Sequence, residues 1–494
     1  MSGTTTRLRH TILVCAVALV ALIVLEIWAI GDCPPADPIW YAQIADHISH
    51  GLDAFRGADM HPFWMRIGLT VPLAALYDLV GRSPLVTTLP TILAGCLILV
   101  TVVSAQTTAR ARWIAAVLVV TSRAVLQNAV VLGVDLPCAA LLSTTVLFLG
   151  LRSRGRRWLA LAAVAWFSAF LVKETALWLF PVWLYVIVTD YRRDGISIAR
   201  RYLWAAVPLA VLAIAYMILC AMVWGHPLAR FMGIQALAGH HTWAIDEASS
   251  ATWMQRLLWK PPGFLFKVFG LVLLLALAWP FVLDPSKRLW GIAAFVVLAF
   301  FWFGSTSLTS YSPLPLSPRM VSEALPFVLG AAAMSIDALW DRWRLIAGAV
   351  LAVVVVQGAV AVAHFGARPR PESEAVAAVF KSADSQSTLL VCGDPRSSTL
   401  VPYYAGFVSY PGLRVVFAAD LAKQATPPTE ARVYALVNVK RPPDAEWFDP
   451  ATDATHFRVE KITRLALPQI IHSPPVSLYD AGDGRALWTS LRSP

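Results

Sequence analysis

The sequence is poor in charged residues. Asp, Glu, Lys and Arg make up 14% of its 494 residues, against about 25% in soluble globular domains. At the same time, 58% of the residues are hydrophobic and the mean hydropathy is +0.63. This composition excludes a soluble globular protein for most of the chain and indicates an integral membrane protein.

Closely spaced cysteines are lacking as well. The six cysteines are scattered without a C-x-x-C pair, so neither a zinc site nor a disulfide framework is indicated. Internal repeats and low-complexity tracts are absent.

The first apolar run follows Arg7 and Arg9 and lacks a convincing small-residue cleavage site. We therefore interpret it as a retained anchor helix rather than a signal peptide.

Long apolar runs recur as far as Phe365. A bilayer core of about 30 Å requires roughly 20 apolar residues per helix, and the runs predict eleven transmembrane spans. They lie at about 11–30, 84–105, 113–130, 135–151, 158–172, 175–189, 203–224, 264–283, 289–304, 321–340 and 345–364.

The formal charge of +10 follows the loops between these runs, so it indicates membrane topology rather than a nucleic-acid partner. If the amino terminus is cytoplasmic, every basic cluster falls on the inner side, provided that Ile67–Val80 stays outside as a membrane-edge helix. These clusters are Arg110/Arg112, Arg152/Arg154/Arg156/Arg157, Arg192/Arg193/Arg200/Arg201, Lys287/Arg288 and Arg342/Arg344. The long polar segments then share the outer face.

The sequence changes character after the last apolar run. Strand-like runs alternate with helical patterns such as ESEAVAAVFKSA (372–383), which predicts a small α/β domain. The strand-like runs are STLLVC (387–392), LRVVF (413–417) and RVYALVNV (432–439). We expect a transmembrane domain over 1–364, with interfacial helices in an outer loop at 31–83, and an extracytoplasmic α/β domain over 365–494.

The stretch DPIWYAQIADHISHG begins at Asp37, just after the first apolar run. Asp37 followed by Pro38 is typical of a helix start, and the amphipathic pattern predicts a helix lying along the membrane surface. Asp37 has two interpretations here. It is a helix cap that contributes about 1 kcal/mol, or a partly desolvated general base at the outer membrane edge.

Several motifs in order resemble those of the GT-C fold glycosyltransferases that use polyprenyl-phosphate sugars, including the aminoarabinose, galacturonate and protein mannosyl transferases. The resemblance covers roughly residues 11–345. The motifs are DPIWYAQIA (37–45), HPFW (61–64), LYDLVG (76–81), VDLPCAALL (134–142), FLVKETALWLFP (170–181), HPLARFMG (226–233), HHTW (240–243) and SPRMVSEALPF (317–327).

The resemblance implies roles for several residues. Asp37 is then the base that activates an acceptor hydroxyl, and Asp135 belongs to a second acidic motif that shapes the acceptor or a metal site; capping of a helix is the alternative for Asp135. A lipid phosphate would be bound by cationic residues on the outer face, for which the alternative is a side chain reaching to water. These residues are His61, Arg66, Lys173, Arg230, His241 and Arg319.

The resemblance also implies a polyprenyl-phosphate sugar donor, an acceptor that is a glycan, lipid or protein, and a location in the plasma membrane. Branches of the family differ in metal dependence, and no ligand spacing here assigns a divalent metal. The aminoarabinose transferases have a basic residue before the tyrosine of the first motif, where this chain has Trp40. The donor sugar is therefore not assigned.

Two other functions fit a polytopic membrane protein. A transporter could use Glu26, Asp135 and Lys173/Glu174 as an ion path, but transporters place such groups near the midplane between repeated halves, and this chain has no repeat. A non-catalytic membrane scaffold of the same fold is the other alternative, in which the outer domain binds a partner.

Overall fold

The computed structural model describes residues 2–30, 37–51, 55, 61–240, 258–283, 288–305 and 316–365, and shorter pieces of the C-terminal part. Those pieces are 388–392, 413–417, 421, 423, 426, 432–438, 463–465 and 476–480. The chain forms two compact units. Unit 1 comprises Met1–Ala29, Ile44–Gly81 and Leu85–Gly366, and unit 2 comprises Ile30–Gln43, Arg82–Pro84 and Ala367–Pro494.

The described residues before position 366 are helical over most of their length. The helices are α1 (Ser2–Ala29), α2 (Asp37–Ser49), α3 (Ile67–Val80), α4 (Pro84–Ala105), α5 (Ala109–Val120), α6 (Arg123–Ala129), α7 (Asp135–Gly150), α8 (Arg157–Val172), α9 (Phe180–Asp194), α10 (Ile198–Trp224), α11 (Ala229–His240), α12 (Lys260–Phe269), α13 (Leu271–Leu277), α14 (Trp279–Val282), α15 (Leu289–Phe303), α16 (Leu325–Trp340) and α17 (Arg344–Phe365). Short 3-10 turns at Glu174–Leu179 and Ser322–Ala324 precede α9 and α16.

Each of the eleven predicted apolar runs coincides with one or more of these helices, which confirms a polytopic helical architecture. Among the described residues, five helices are long and apolar enough to cross a membrane, and a sixth span is formed if α12 and α13 count as one. Those two helices are bent by 106° at Gly270, whose φ of +58° favours glycine. The number of eleven spans stays a prediction.

Helix α3 packs against α8, and Gly68 permits their close approach. A Cβ atom on Gly68 would lie 2.8 Å from the backbone of Leu171 and Val172 at the end of α8. Any larger residue would therefore push α3 away. The bounds of α3 are those of the predicted membrane-edge helix, while its place outside the membrane stays a prediction.

Unit 2 contains a five-stranded mixed sheet in the order β2-β1-β3-β5-β4. Strand β1 pairs in parallel with β2 and with β3, whereas β5 pairs antiparallel with β3 and with β4. The three predicted strand-like runs are β1 (Thr388–Cys392), β2 (Leu413–Phe417) and β3 (Arg432–Asn438); β4 (Thr463–Leu465) and β5 (Val476–Asp480) were not predicted. The predicted helical stretch 372–383 lies outside the described residues.

Candidate functional site

Charged residues of unit 1 gather where several helices begin or end. Asp135 is the first residue of α7, Lys173 directly follows α8, and Glu174 opens the 3-10 turn that leads to α9. Glu323 lies in the 3-10 turn before α16, and Arg66 directly precedes α3. Side chains distant in sequence form two ion-pair clusters here, joined through the chain neighbours Lys173 and Glu174, and we call the two clusters together the ion network.

Lys173 joins two buried carboxylates. Its Nζ lies 2.6 Å from Asp135 Oδ1 and 2.5 Å from Glu323 Oε1. The hydroxyl of Thr175 donates a further hydrogen bond to Glu323 Oε1 over 2.7 Å, and Arg319 Nε lies 3.3 Å from Asp135 Oδ2. The side chains of Asp135, Lys173 and Glu323 are nearly inaccessible to solvent, so their charges must compensate one another inside the protein.

Glu174 joins two arginines in the same way. Arg66 Nη2 lies 2.7 Å from Glu174 Oε1, and Arg230 Nη2 lies 3.3 Å from Glu174 Oε2. Arg230 is almost completely buried, with its guanidinium carbon 4.5 Å above the centroid of the Phe170 ring. Its Nη1 donates to the carbonyl of Met65 over 3.4 Å. Glu174 therefore connects the end of α8 to the segments on which the two arginines lie.

The neighbouring charges keep Lys173 and Glu174 ionised. Burial alone would lower the pKa of Lys173, but Asp135 and Glu323 outweigh it and raise that pKa above its ordinary value. Burial alone would raise the pKa of Glu174, whereas Arg66 and Arg230 hold it well below its usual range. Both side chains are therefore charged at neutral pH.

The network occupies one end of the helix bundle, and other ion pairs occupy the opposite ends of the same helices. Arg152, just before α8, pairs with Asp190 near the end of α9, and Arg110 pairs with Asp337 near the end of α16. A helix of the length of α8 spans about 24 Å, so Lys173 lies far from the Arg152 pair. These two sets of ion pairs thus lie at opposite ends of the helices, while the orientation of the chain in the membrane stays a prediction.

The structure brings together five of the eight predicted site residues: Asp135, Arg66, Lys173, Arg230 and Arg319. At Lys173, two carboxylates engage the ammonium group. The roles of all five stay predictions.

The ion pairs given above do not include the other three predicted residues. His61 lies in the turn that leads to α3, with its ring edge-on to Phe63 at 4.6 Å between centroids. Asp37 is the first residue of α2 and belongs to unit 2. His241 lies outside the described residues. The proposed actions of these residues stay predictions.

Sequence reasoning did not assign Glu174 and Glu323 to the phosphate site. Both carboxylates lie within quoted motifs, FLVKETALWLFP and SPRMVSEALPF. The sequence did contain a signal for both glutamates, because an acidic residue beside an apolar run requires a partner. Each motif also supplies a cation of the network, Lys173 or Arg319.

The described carboxylates do not fit a divalent metal. Within the ranges that the structure describes, no group of three or more His, Cys, Asp or Glu side chains is placed to hold one. Asp135 and Glu323 instead face the ammonium of Lys173, which already supplies a positive charge between them.

No family model and no curated protein matches the chain. Two solved structures of ArnT from Cupriavidus metallidurans resemble it over nearly the whole chain. The apo structure is 17% identical, covers 98% of both chains and has a TM-score of 0.58. The structure bound to undecaprenyl phosphate is 16% identical, covers 98% of this chain and 99% of that chain, and has a TM-score of 0.55.

An oligosaccharyltransferase from Archaeoglobus fulgidus, in complex with Zn and sulfate, is also similar. It is 12% identical, covers 80% of this chain and 61% of that chain, and has a TM-score of 0.51. At these identities the likeness concerns the fold. The chain therefore has the GT-C-like fold of these membrane proteins, in agreement with the resemblance found in its sequence motifs.

Proposed function

We propose that the chain is an integral membrane glycosyltransferase that transfers a sugar from a polyprenyl-phosphate donor to a hydroxyl group of a glycan, lipid or protein. The observation that carries this proposal is the ion network at one end of the bundle. It gathers four cationic side chains around three carboxylates among the described residues. A departing lipid phosphate requires such cations, because negative charge grows on its oxygen in the transition state.

Arg66, Arg230 and Arg319 are the groups that we assign to the phosphate. Guanidinium groups bind phosphate oxygens through two parallel hydrogen bonds. Arg319 is the most exposed of the three, at 29% of its side chain. Lys173 acts differently, since it holds Asp135 and Glu323 in place. One of the compared ArnT structures is bound to undecaprenyl phosphate, which supports a polyprenyl phosphate as the donor lipid.

The reaction that we propose is a single displacement. The acceptor oxygen attacks the anomeric carbon, the bond from that carbon to the phosphate oxygen breaks, and the lipid phosphate leaves with the electron pair. Asp37 accepts the proton of the acceptor hydroxyl, a role that rests on the sequence motif around it. A displacement of this kind inverts the configuration at the anomeric carbon.

The reaction would take place on the outer face of the plasma membrane, with the amino terminus in the cytoplasm and the C-terminal domain outside. The distribution of basic loops supports this orientation. Arg110 and Arg152 belong to the predicted inner loops, and their ion pairs lie at the opposite helix ends from the network. A polyprenyl phosphate has its headgroup at the membrane surface, which is where helix ends lie.

The test is a transfer assay. Membranes containing the wild-type protein are incubated with a panel of radiolabelled polyprenyl-phosphate sugars, and the label is followed into acceptors. We expect transfer from one of the donors and much weaker donor use by Arg319→Ala. Arg193→Ala is the control, because Arg193 is an exposed arginine at the opposite end of the bundle. The proposal fails if no lipid-linked sugar is used, or if both variants lose the same activity.

A further inference from the structure

Glu174 occupies the two arginines that we assign to the phosphate. Its two carboxylate oxygens lie 2.7 Å from Arg66 and 3.3 Å from Arg230. We propose that Glu174 is an internal competitor: its carboxylate holds both guanidinium groups when no lipid is bound, and the phosphate of the donor displaces it. This inference rests on the function proposed above and assigns to that site a residue that controls the binding of lipid phosphate.

The hydrogen bonds that Arg230 makes with other described residues are long and leave part of its guanidinium group unused. A guanidinium group has five N–H donors, and charge-assisted hydrogen bonds are normally about 2.7–2.9 Å long. The hydrogen bonds of Arg230 to Glu174, Met65 and Tyr216 are 3.3 to 3.5 Å long. Among the residues that the structure describes, no hydrogen-bond acceptor contacts its buried Nε. A larger anion with more oxygen atoms, such as a phosphate group, would satisfy this buried cation better than one carboxylate does.

Glu174 is also the carboxylate of the network that can leave its partners most easily. Its side chain is 20% exposed, against 3% for Asp135 and 1% for Glu323. It lies at the start of a 3-10 turn rather than inside a long helix. Displaced from the arginines, its carboxylate has access to water, whereas Asp135 and Glu323 stay enclosed around Lys173.

The donor and the product carry different charges, and this difference explains how a competing carboxylate helps to release the product. A polyprenyl-phosphate sugar is a phosphodiester with one negative charge, whereas the lipid phosphate product is a monoester with about 1.5 to 2 negative charges at pH 7. The two arginines therefore attract the product more strongly than the donor. A carboxylate that returns to them favours release of the product and prepares the site for the next donor.

The test measures binding of farnesyl phosphate, a short polyprenyl phosphate, to the purified full-length protein in detergent. We expect Glu174→Gln to bind it about tenfold more tightly than the wild type or better, since one charge-assisted contact no longer competes. Asp190→Asn is the matched control, because Asp190 is also a buried carboxylate held by arginines, namely Arg152, Arg193 and Arg201. It should leave the affinity unchanged.

Glu174→Asp keeps the charge and covers the case in which the glutamine variant does not fold. Its shorter side chain withdraws from the arginines, so an intermediate gain in affinity is expected. Weaker or unchanged binding by the folded Glu174 variants overturns the inference, because Glu174 would then merely orient the arginines. The proposed function fails separately, if the wild-type protein does not bind farnesyl phosphate or if Arg230→Gln binds it equally well.

Discussion

Replacing Lys173 by methionine tests the energetics of the ion network. Methionine keeps most of the volume of the side chain and removes the ammonium that lies 2.6 Å from Asp135 and 2.5 Å from Glu323. Asp135 retains Arg319 at 3.3 Å, whereas Glu323 loses the cation paired with it among the described residues. Removing one partner of a buried ion pair costs about 3–5 kcal/mol, and we expect a loss of that size in the free energy of unfolding.

A second substitution separates this electrostatic effect from a packing defect. Adding Glu323→Gln to Lys173→Met removes the uncompensated charge while keeping the shape of the side chain, and Thr175 can still donate its hydrogen bond to the amide oxygen. The double variant should therefore be more stable than Lys173→Met alone. The coupling energy between the two positions should reach about 1–3 kcal/mol, as for other directly contacting residues.

The free energies can be measured in detergent with a thiol-reactive fluorescent dye, since unfolding exposes the buried thiols of Cys138 and Cys220. Arg154→Met is the control, because Arg154 is an exposed cation in the turn between α7 and α8, and its substitution should change stability by no more than about 0.5 kcal/mol. If Lys173→Met is as stable as this control, or if the double variant is less stable than Lys173→Met, Lys173 does not compensate the charge of Glu323.

Three further predictions concern binding and catalysis. Asp37→Asn should abolish sugar transfer in the labelled-donor assay while the protein still folds, because an amide cannot accept the proton. The control Asp46→Asn, on the same helix, should stay active. Full activity of Asp37→Asn would show that Asp37 is not the base. Gly68→Ala should destabilise the protein and weaken binding of farnesyl phosphate, because its Cβ would lie 2.8 Å from the backbone of α8; unchanged thermal stability and affinity contradict the packing. The third prediction concerns pH. Because the pKa of Glu174 is lowered, this residue keeps its contribution to the stability of the folded protein above about pH 5. Because the pKa of Lys173 is raised, this residue keeps its contribution to stability below about pH 9. Binding of a phosphodiester lipid should therefore vary little across this range, and a steep change would show that the network titrates.

The helical architecture could be predicted because apolar runs of bilayer length have few other structures available to them. Hydropathy alone did not show where helices break. The predicted run 113–130 is two helices, since Ser122 caps the second by accepting a hydrogen bond from the Val125 backbone. The run 264–283 turns by 106° at Gly270. Such breaks depend on caps and backbone conformation rather than on apolarity.

The site was predictable in part for a similar reason. Placing the basic loops on one side leaves Arg66, Lys173, Arg230 and Arg319 on the other, and the structure brings all four into one network. The pairing inside that network was not predictable, because it depends on which helix ends meet. Glu323 follows Lys173 by 150 residues and still contacts it.

The most direct test of the proposed phosphate site is the affinity of the purified protein for farnesyl phosphate, compared between the wild type and Arg66→Gln. Arg110→Gln is the matched control, since Arg110 also pairs with carboxylates, Asp337 and Asp341, at the opposite end of the bundle. We expect Arg66→Gln to weaken binding at least about tenfold, the value of one charge-assisted contact, and Arg110→Gln to leave it unchanged. Equal affinity of the wild-type protein and both variants would contradict the proposed site.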